Sequence, residues 1–344
     1  MSENKKVQSL TGRILQFLLP LLLTILLVWW LFHKVNFVEM MDIIRGGCNL
    51  WWIGLAMFLS IFSHIIRAAR WQLQLDSLGI RPPFMALCCS IFGCYALNLL
   101  FPRLGEVWRC TYISTREKAP FTKVFGSVVA DRLADMALVA LLLLLSFFVA
   151  HDAIAAFLSK YPVGADLLDL IANPLVWAAV AGAVLIVTAV VRFFSDTKIV
   201  IKVRTWVVQL WNGFADVARM PRRGRFIIYS LLLWGCYYIQ LYVAFFAFPF
   251  TADLCRQSSL AFGLQPCLVA FVLSSISMAV PSNGGLGPWN IAIMFGLALY
   301  GINDAEGTAF SIIQWSGETI MLILLGLFTI AYISRNSHKS KSLR

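Results

Sequence analysis

The residues of this chain most able to do chemistry are charged side chains inside long apolar stretches. Asp131, Arg132 and Asp135 fall within the apolar stretch 121–150. A helix that starts near Phe121 and rises about 1.5 Å per residue carries Asp135 about 20 Å along its axis, inside the hydrocarbon core of a bilayer. Because a charge is costly there, such a residue indicates a functional site. Arg132 and Asp135 are three apart and share a face, so we expect them to pair.

A second cluster follows a proline. Arg103, Glu106 and Arg109 are spaced by three after Pro102, which predicts one face of a helix that restarts there. Arginine suits phosphate through its planar fork of donors, and a restarted helix offers its positive dipole end. We expect Asp131 to pair with Arg103 or Arg109. The clusters predict an anionic headgroup site; the alternatives are an ion network that only locks helices together, and ordinary positive-inside anchoring.

Other polar residues stand alone in apolar surroundings. Glu318 lies four residues after Gln314 on the same helix face. It is either a proton or ion site, or an acceptor of hydrogen bonds from a neighbouring helix. Gln240 and Asn98 are predicted to hydrogen-bond between helices, and His64 to be a packed or interfacial histidine rather than a ligand.

Composition places these residues in a membrane protein. The chain is 60% hydrophobic and only 13% charged, with a mean hydropathy of +0.79. A soluble domain of this length needs more charge to cover its surface. The net charge of +11 comes from basic residues that flank apolar blocks, which indicates orientation in a membrane rather than nucleic-acid binding. No nucleotide-binding motif is present, so any driving force is expected to be an ion gradient or none. No spacing of His or Cys suggests zinc, and no cofactor is expected.

The apolar blocks predict an all-α polytopic protein with about six to seven full membrane spans and two broken, re-entrant hairpins. The predicted organisation is a cytoplasmic N-terminal segment (1–13), one transmembrane domain (14–333) and a basic cytoplasmic tail (334–344). The first block is expected to be a retained signal anchor. The blocks are 14–32, 49–66, 84–101, 121–150, 173–194, 226–250, 266–280, 289–301 and 307–333.

Loop charge predicts the first hairpin. Segments 67–83 and 101–123 are both basic and therefore predicted to be cytoplasmic, yet a single apolar block, 84–101, separates them. A full span cannot have both ends on one side, so this block is predicted to enter from the cytoplasm, break near Pro102 and return. The basic residues counted in the first segment are Arg67, Arg70 and Arg81.

A second hairpin is predicted over 266–301, where the segment 281–288 cannot be helical. Its proline, asparagine and glycine residues are candidate site residues: Pro281, Asn283, Gly284, Gly285 and Gly287. The two hairpins enter from opposite sides, and paired interrupted helices of opposite orientation are typical of a transporter site between inverted repeats. The alternative is a coincidence between two Pro/Gly turns.

Three motifs in order resemble the lysylphosphatidylglycerol synthase transmembrane-region family, also called flippase-like membrane proteins. They are Asn98 to Arg109, Arg132 to Asp135, and Pro281 to Gly287. The resemblance implies a multi-span inner-membrane protein that moves lipids or lipid-linked intermediates between leaflets. Some members carry a soluble aminoacyl-transferase; we expect none here. Many members place a Glu shortly after the Gly-Gly-Leu-Gly turn, where this chain has Asn290, so its role is either lost or taken by Glu318.

The predicted function is therefore transbilayer movement of an amphipathic lipid with a charged headgroup. Arg103 and Arg109 would hold the headgroup, the 131–135 cluster would line a polar slot, and the 281–288 turn would close its far side. Two rivals are a membrane-embedded transferase with Asp131 or Asp135 as general base, and a non-catalytic scaffold of envelope synthesis. The expected partners are membrane lipids and no nucleic acid; a homo-oligomer and envelope-synthesis partners stay open.

Overall fold

A computed structural model describes residues 37–151 and 222–342, together with Pro174, Gly182 and Met220. The predicted N-terminal segment 1–13 and signal anchor 14–32 lie outside the described residues, as does nearly all of the block 173–194. Within the described ranges the chain is helical and contains no strand. The helices are α1 (Phe37–Gly47), α2 (Leu50–Ser77), α3 (Phe84–Leu100), α4 (Leu104–Arg116), α5 (Phe121–Val149), α6 (Arg223–Ala244), α7 (Pro249–Leu254), α8 (Leu264–Ser277), α9 (Pro288–Ala298) and α10 (Asp304–Ser342).

Five of the described helical segments are long and apolar enough to cross a membrane. They are α2, α5, α6 with its extension to Ala247, the segment Ser258–Ser277, and α10 as far as Arg335. Helix α3 is apolar but shorter. Large apolar side chains on α5 such as Met136, Leu144 and Phe148 are exposed, which is the pattern of a surface that faces lipid. The prediction of an all-α polytopic membrane protein is confirmed.

Helix α2 is longer than its apolar block predicted. Asn49 caps its beginning by accepting a hydrogen bond from the Trp51 amide, and the helix continues past residue 66 to Ser77. Arg67 and Arg70 therefore lie inside the helix and are buried, so assigning them to a cytoplasmic loop was wrong. The helix continues because their charges are compensated by other helices. The connection to α3 is only the segment 78–83.

Helices α3 and α4 form the first hairpin. The chain breaks at Phe101–Arg103, where Arg103 adopts a left-handed conformation with φ 63°. Gly105 then packs so closely on α3 that a Cβ there would overlap the backbone carbonyl of Cys94. The connections on either side of the hairpin join one apolar cluster, to which Ile80 and Ala119 both belong. The predicted break near Pro102 is confirmed, and the return of the chain to the same side of the membrane stays a prediction.

Helices α8 and α9 form the second hairpin. They touch at Gly296, where a Cβ would lie 2.7 Å from the Cα of Ala270. Three glycines between the helices, Gly284, Gly285 and Gly287, have φ of 58°, 80° and 91°, which residues with a side chain rarely adopt. The predicted non-helical break is confirmed.

The two breaks touch each other in a reciprocal way. Arg103 donates a hydrogen bond to the Ala279 carbonyl (3.0 Å), and Asn283 donates one to the Leu100 carbonyl (3.2 Å). Each acceptor lies two residues before the proline of its own break. Reciprocal contacts of this kind are what a two-fold relation generates.

Helix packing follows the same pairing. Helices α2 and α6 pack on each other, α3 packs on α10, and α8 packs on α5. A repeat that relates α2–α5 to α6–α10, with α2 matching α6, α3 matching α8 and α5 matching α10, predicts these contacts. Contacts between the two breaks, and between the helices that flank them, thus support the inverted-repeat prediction.

Cysteine labelling tests the first hairpin. In a cysteine-free background, we expect Arg81→Cys and Lys118→Cys to react with a membrane-impermeant thiol reagent from the same side. The matched comparison is Gln257→Cys, which we expect to react only from the other side, because α2 begins beside the end of α6 (Asn49 amide to Ala247 carbonyl, 2.8 Å). Labelling of positions 81 and 118 from opposite sides would contradict a returning hairpin.

A glycine substitution tests the packing of this hairpin. We expect Gly105→Ala to lower stability by about 1–3 kcal/mol, because the new methyl group meets rigid backbone. Gly126→Ala on α5 is the matched control, since a Cβ there meets nothing within 4 Å. Thermal unfolding in detergent measures both. Equal melting temperatures for the two variants would mean that α3 and α4 are not in close contact.

Candidate functional site

Two arginines on α2 face two aspartates on α5, and we name these four residues the Arg–Asp cluster. Arg70 contacts both carboxylates at 2.7 Å, through Nη1 to Asp135 and through Nη2 to Asp131. Arg67 Nη1 lies 3.0 Å from Asp135 and 3.4 Å from Asp131. All four residues are buried. Each carboxylate is thus held by two guanidinium groups, and the four charges cancel, as burial requires.

Helix α6 completes the shell around the cluster. Trp234 Nε1 donates to Asp135 Oδ1 (3.1 Å). The Tyr237 hydroxyl accepts hydrogen bonds from Arg67 Nε (3.2 Å) and Nη2 (2.9 Å). The rings of Tyr95 and Tyr237 each lie 5.8 Å from the Arg67 guanidinium carbon, within cation–π range. The cluster therefore joins α2, α5 and α6 and touches α3.

The predicted partners of Asp131 were wrong. Asp131 is paired with Arg67 and Arg70, not with Arg103 or Arg109. The sequence did hold a signal for the two missed arginines, since they are three apart directly after an apolar stretch, the spacing of one helix face. Counting them as loop charges hid that signal.

A second polar group links α3, α4 and α5. Arg132 Nη2 donates to Glu106 Oε1 (2.8 Å), and Asn98 Nδ2 donates to Glu106 Oε2 (3.2 Å). Asn98 also accepts from the Gly105 amide (2.8 Å), which satisfies a free N–H where α4 restarts. The predicted Arg132–Asp135 contact is present at 3.9 Å. The Arg132 side chain is 38% exposed and that of Glu106 is 19% exposed, so this group is accessible from outside the bundle.

Arg109 is buried like Arg67 and Arg70, but no described residue forms a salt bridge with it. It is fully buried on α4, with its guanidinium carbon 4.9 Å from the centre of the Trp71 ring. Within the described residues, none of its three side-chain nitrogens has a hydrogen-bond partner. Glu106, one turn earlier, is already bonded to Arg132 and Asn98. A buried guanidinium with unused donors is suited to bind an anion, because leaving those donors unsatisfied is costly.

The other predicted residues are placed at the helix breaks. Helix α4 begins at Leu104, so Arg103 lies in the first break rather than on the face of Glu106 and Arg109. Trp315 Nε1 donates to the Gly284 carbonyl (2.8 Å), which anchors the second break to α10. Gly285 and Gly287 are buried in that break, Asn283 is partly buried, and Pro281 is exposed.

Asn290 and Glu318 occupy different surroundings. Asn290 is fully buried and caps α9, accepting from the Gly287 amide (3.1 Å) and donating to Ser311 Oγ (3.3 Å). Glu318 on α10 is 30% exposed and accepts hydrogen bonds from Ser60 (3.1 Å) and Gln240 (2.8 Å). The prediction that Gln240 bonds between helices is confirmed.

Thiols and metal-binding groups do not contribute a site in the described part of the chain. All eight cysteines are free, and six of them are buried, as expected for small packing residues. In the described ranges, no three His, Cys, Asp or Glu side chains are grouped so that they could hold a metal ion.

Comparison with known families identifies the chain. The model of the family described as the lysylphosphatidylglycerol synthase TM region matches residues 17–326. The chain belongs to this family. The match takes in the Arg–Asp cluster, both hairpins and Glu318, so the resemblance of the three sequence motifs is confirmed.

Two relatives of this family member are archaeal. The chain is 25% identical over 284 residues to UPF0104 membrane protein PH1989 of Pyrococcus horikoshii, covering 77% of this chain and 80% of the relative. It is 21% identical over 310 residues to UPF0104 membrane protein MJ1595 of Methanocaldococcus jannaschii, covering 83% and 86%. No solved structure matches the chain.

Neutralising one carboxylate tests the Arg–Asp cluster. We expect Asp135→Asn to lower stability by about 3–5 kcal/mol, because it leaves buried guanidinium groups uncompensated. Asp253→Asn, at the exposed ion pair with Arg256, is the control and should cost less than about 1 kcal/mol. Removing a pair together, as Arg70→Met with Asp131→Leu, should restore much of the loss suffered by Asp131→Asn alone. Thermal unfolding in detergent reports all of these; equal losses at positions 135 and 253 would contradict the buried pairing.

Proposed function

We propose that this protein moves an amphipathic lipid with a phosphate-containing headgroup, anionic or zwitterionic, between the two leaflets of a membrane. The observation that carries the proposal is Arg109, a fully buried guanidinium whose three nitrogens have no hydrogen-bond partner among the described residues. Its planar fork of donors matches phosphate oxygens in geometry and charge. Membership of the family supports a membrane role for the whole domain.

The local charge balance favours an anion. Arg67, Arg70 and Arg132 are matched by Asp131, Asp135 and Glu106 in the described network, whose members are joined by salt bridges. Arg109 adds a positive charge to this neutral group. A phosphate beside it would both accept its free donors and cancel its charge, which offsets part of the cost of taking a headgroup out of water.

Access to Arg109 is proposed to run past Arg132 and Glu106. These two side chains are partly exposed, and Glu106 lies one helical turn from Arg109 on α4. A headgroup that displaces Glu106 from Arg132 would meet first an accessible guanidinium and then a buried one. The two breaks lie beside this route, and non-helical backbone at membrane depth is tolerated only against protein or water.

The orientation is also a proposal. We place the protein in the inner membrane with both termini in the cytoplasm. The connections at both ends of the α3–α4 hairpin carry Arg81, Lys118 and Lys123, and basic loops favour the cytoplasmic side.

The rival functions differ in what they require of the same residues. A transferase with Asp131 or Asp135 as general base needs a carboxylate free to accept a proton from the substrate. Each of these carboxylates is instead engaged by two arginines, which disfavours that role. A scaffold requires only that the bundle folds, so it should tolerate loss of the Arg109 charge.

Lipid translocation in proteoliposomes tests the proposal. We expect wild type to exchange fluorescent lipids with phosphoglycerol or phosphocholine headgroups between leaflets faster than a glycolipid without phosphate. Arg109→Gln should slow the exchange about tenfold or more, since a hydrogen bond to a charged group contributes about 1.5–3 kcal/mol. The matched control is Arg116→Gln, at the end of the same helix, which should leave the rate unchanged.

The outcomes separate the candidates. Exchange that Arg109→Gln slows, in protein with the wild-type melting temperature, supports the transporter. Absence of exchange with every lipid overturns it, and a chemically altered lipid product would then favour the transferase. Equal rates for the substitutions at positions 109 and 116 would mean that Arg109 does not hold the headgroup.

A further inference from the structure

A further polar group, partly buried, lies about two helical turns before the Arg–Asp cluster on the same face of α2. Its centre is Glu318, whose Oε1 accepts from Ser60 Oγ (3.1 Å) and whose Oε2 accepts from Gln240 Nε2 (2.8 Å). Both donors are neutral. The three residues lie on α10, α2 and α6, so this group ties together helices from both halves of the proposed repeat.

The basic residue nearest to this carboxylate in the described network is His64. Its Nε2 lies 3.9 Å from Glu318 Oε1, and the side chain is 3% exposed. Neither ring nitrogen of His64 has a hydrogen-bond partner in the described part of the chain. The contact is longer than a hydrogen bond by about 1 Å. His64 is therefore a buried, unpartnered group directed at an accessible carboxylate.

The groups that surround the pair come from every helix packed against it. Helix α3 contributes Tyr95, whose ring centre is 4.8 Å from that of His64. Helix α6 contributes Gln240 to Glu318 and Tyr237 to the neighbouring Arg67, and α10 contributes the buried Gln314, one turn before Glu318. The charged neighbour is Arg67, one turn after His64 on α2 and already paired with aspartates.

We infer that Glu318 and His64 together form a proton-binding site through which a proton gradient drives lipid movement. The inference rests on the proposed function and adds its energy source. A proton suits the site better than a metal cation, because the hydrogen-bond partners of Glu318 among the described residues are donors: the Ser60 hydroxyl and the Gln240 amide nitrogen.

The proton transfer is simple to balance. A proton from water binds the Glu318 carboxylate on its exposed side and forms an O–H bond. When the two side chains close to hydrogen-bond distance, the O–H bond breaks, an N–H bond forms at His64 Nε2, and the carboxylate recovers its charge. The resulting positive charge lies one turn from Arg67, where repulsion in a medium of low dielectric acts on the Arg–Asp cluster. Release of the proton restores the first state.

An imposed pH gradient tests the coupling. With one proton moved per lipid, a gradient of one pH unit should hold the labelled lipid at up to about a tenfold ratio between leaflets. We expect wild type to build such a ratio, and Glu318→Gln and His64→Gln to bring the ratio to one while still allowing exchange. Glu306→Gln, the same chemical change at the beginning of α10, should keep the wild-type ratio.

The two proposals fail in different ways. Lipid exchange with a ratio of one in wild type, whatever the gradient, overturns the proton coupling and leaves the transporter intact. A gradient-driven ratio that survives Glu318→Gln also overturns the site. Absence of any exchange overturns the transporter and, with it, the coupling.

Infrared spectroscopy tests the proton site without transport. In reconstituted protein, acidification should produce a carboxylic-acid C=O band that Glu318→Gln abolishes and Glu306→Gln retains. Glu318→Asp, which keeps the carboxyl group, should shift the band rather than remove it, so a folded variant is available if the glutamine does not fold. A band unchanged by Glu318→Gln would show that the proton binds elsewhere.

Discussion

Two arginines and two aspartates held away from water determine how α2, α5 and α6 sit together. At distances of 2.7–3.4 Å, Arg67 and Arg70 satisfy Asp131 and Asp135, and neither pair of charges could stay buried without the other. Apolar packing between membrane helices is non-directional and competes with lipid on nearly equal terms. A cross-linked set of ion pairs does have a direction: sliding α2 by one turn against α5 would move its arginines about 5.4 Å and break every contact. The cluster therefore sets the register on which the hairpins and the Glu318 site depend.

Among the described residues inside the bundle, Arg109 and Glu318 differ from the neutral Arg–Asp cluster because their partners match them incompletely. Arg109 has unused donors over Trp71, and Glu318 is held by neutral groups with His64 out of hydrogen-bond reach. Both adjoin one face of α2, along which Ser60, His64 and Trp71 follow at helical spacing. The same helix also carries Arg67 and Arg70. A displacement of α2 would move residues of the anion site, of the Arg–Asp cluster and of the proton site together. Coupling between the sites requires such a shared movement.

Much of this architecture could be predicted from the sequence, and the failures have one physical origin. Hydropathy predicted the first residues of the helices that begin at Phe121 and Leu264 to within a few residues, and proline and glycine predicted both breaks. Hydropathy and backbone preference are local properties of the chain, so the sequence shows them directly. Pairing is not local. Whether Arg70 ends a span or continues it depends on an aspartate 65 residues away. The reciprocal bonds of Arg103 and Asn283, and the capping role of Asn290, likewise depend on distant backbone that no spacing rule reveals.

The distance along the chain between the arginines and their aspartates also has a consequence for biosynthesis. During insertion α2 leaves the ribosome before α5, with Arg67 separated from Asp131 by 64 residues. Until α5 follows, neither arginine has its aspartates, and an unpaired arginine inside a membrane helix is costly. We therefore expect the end of α2 to stay near the aqueous translocation channel or the interface while α3 and α4 are made. On this expectation it enters the membrane fully only when α5 brings its carboxylates, so that membrane integration follows a different order from synthesis.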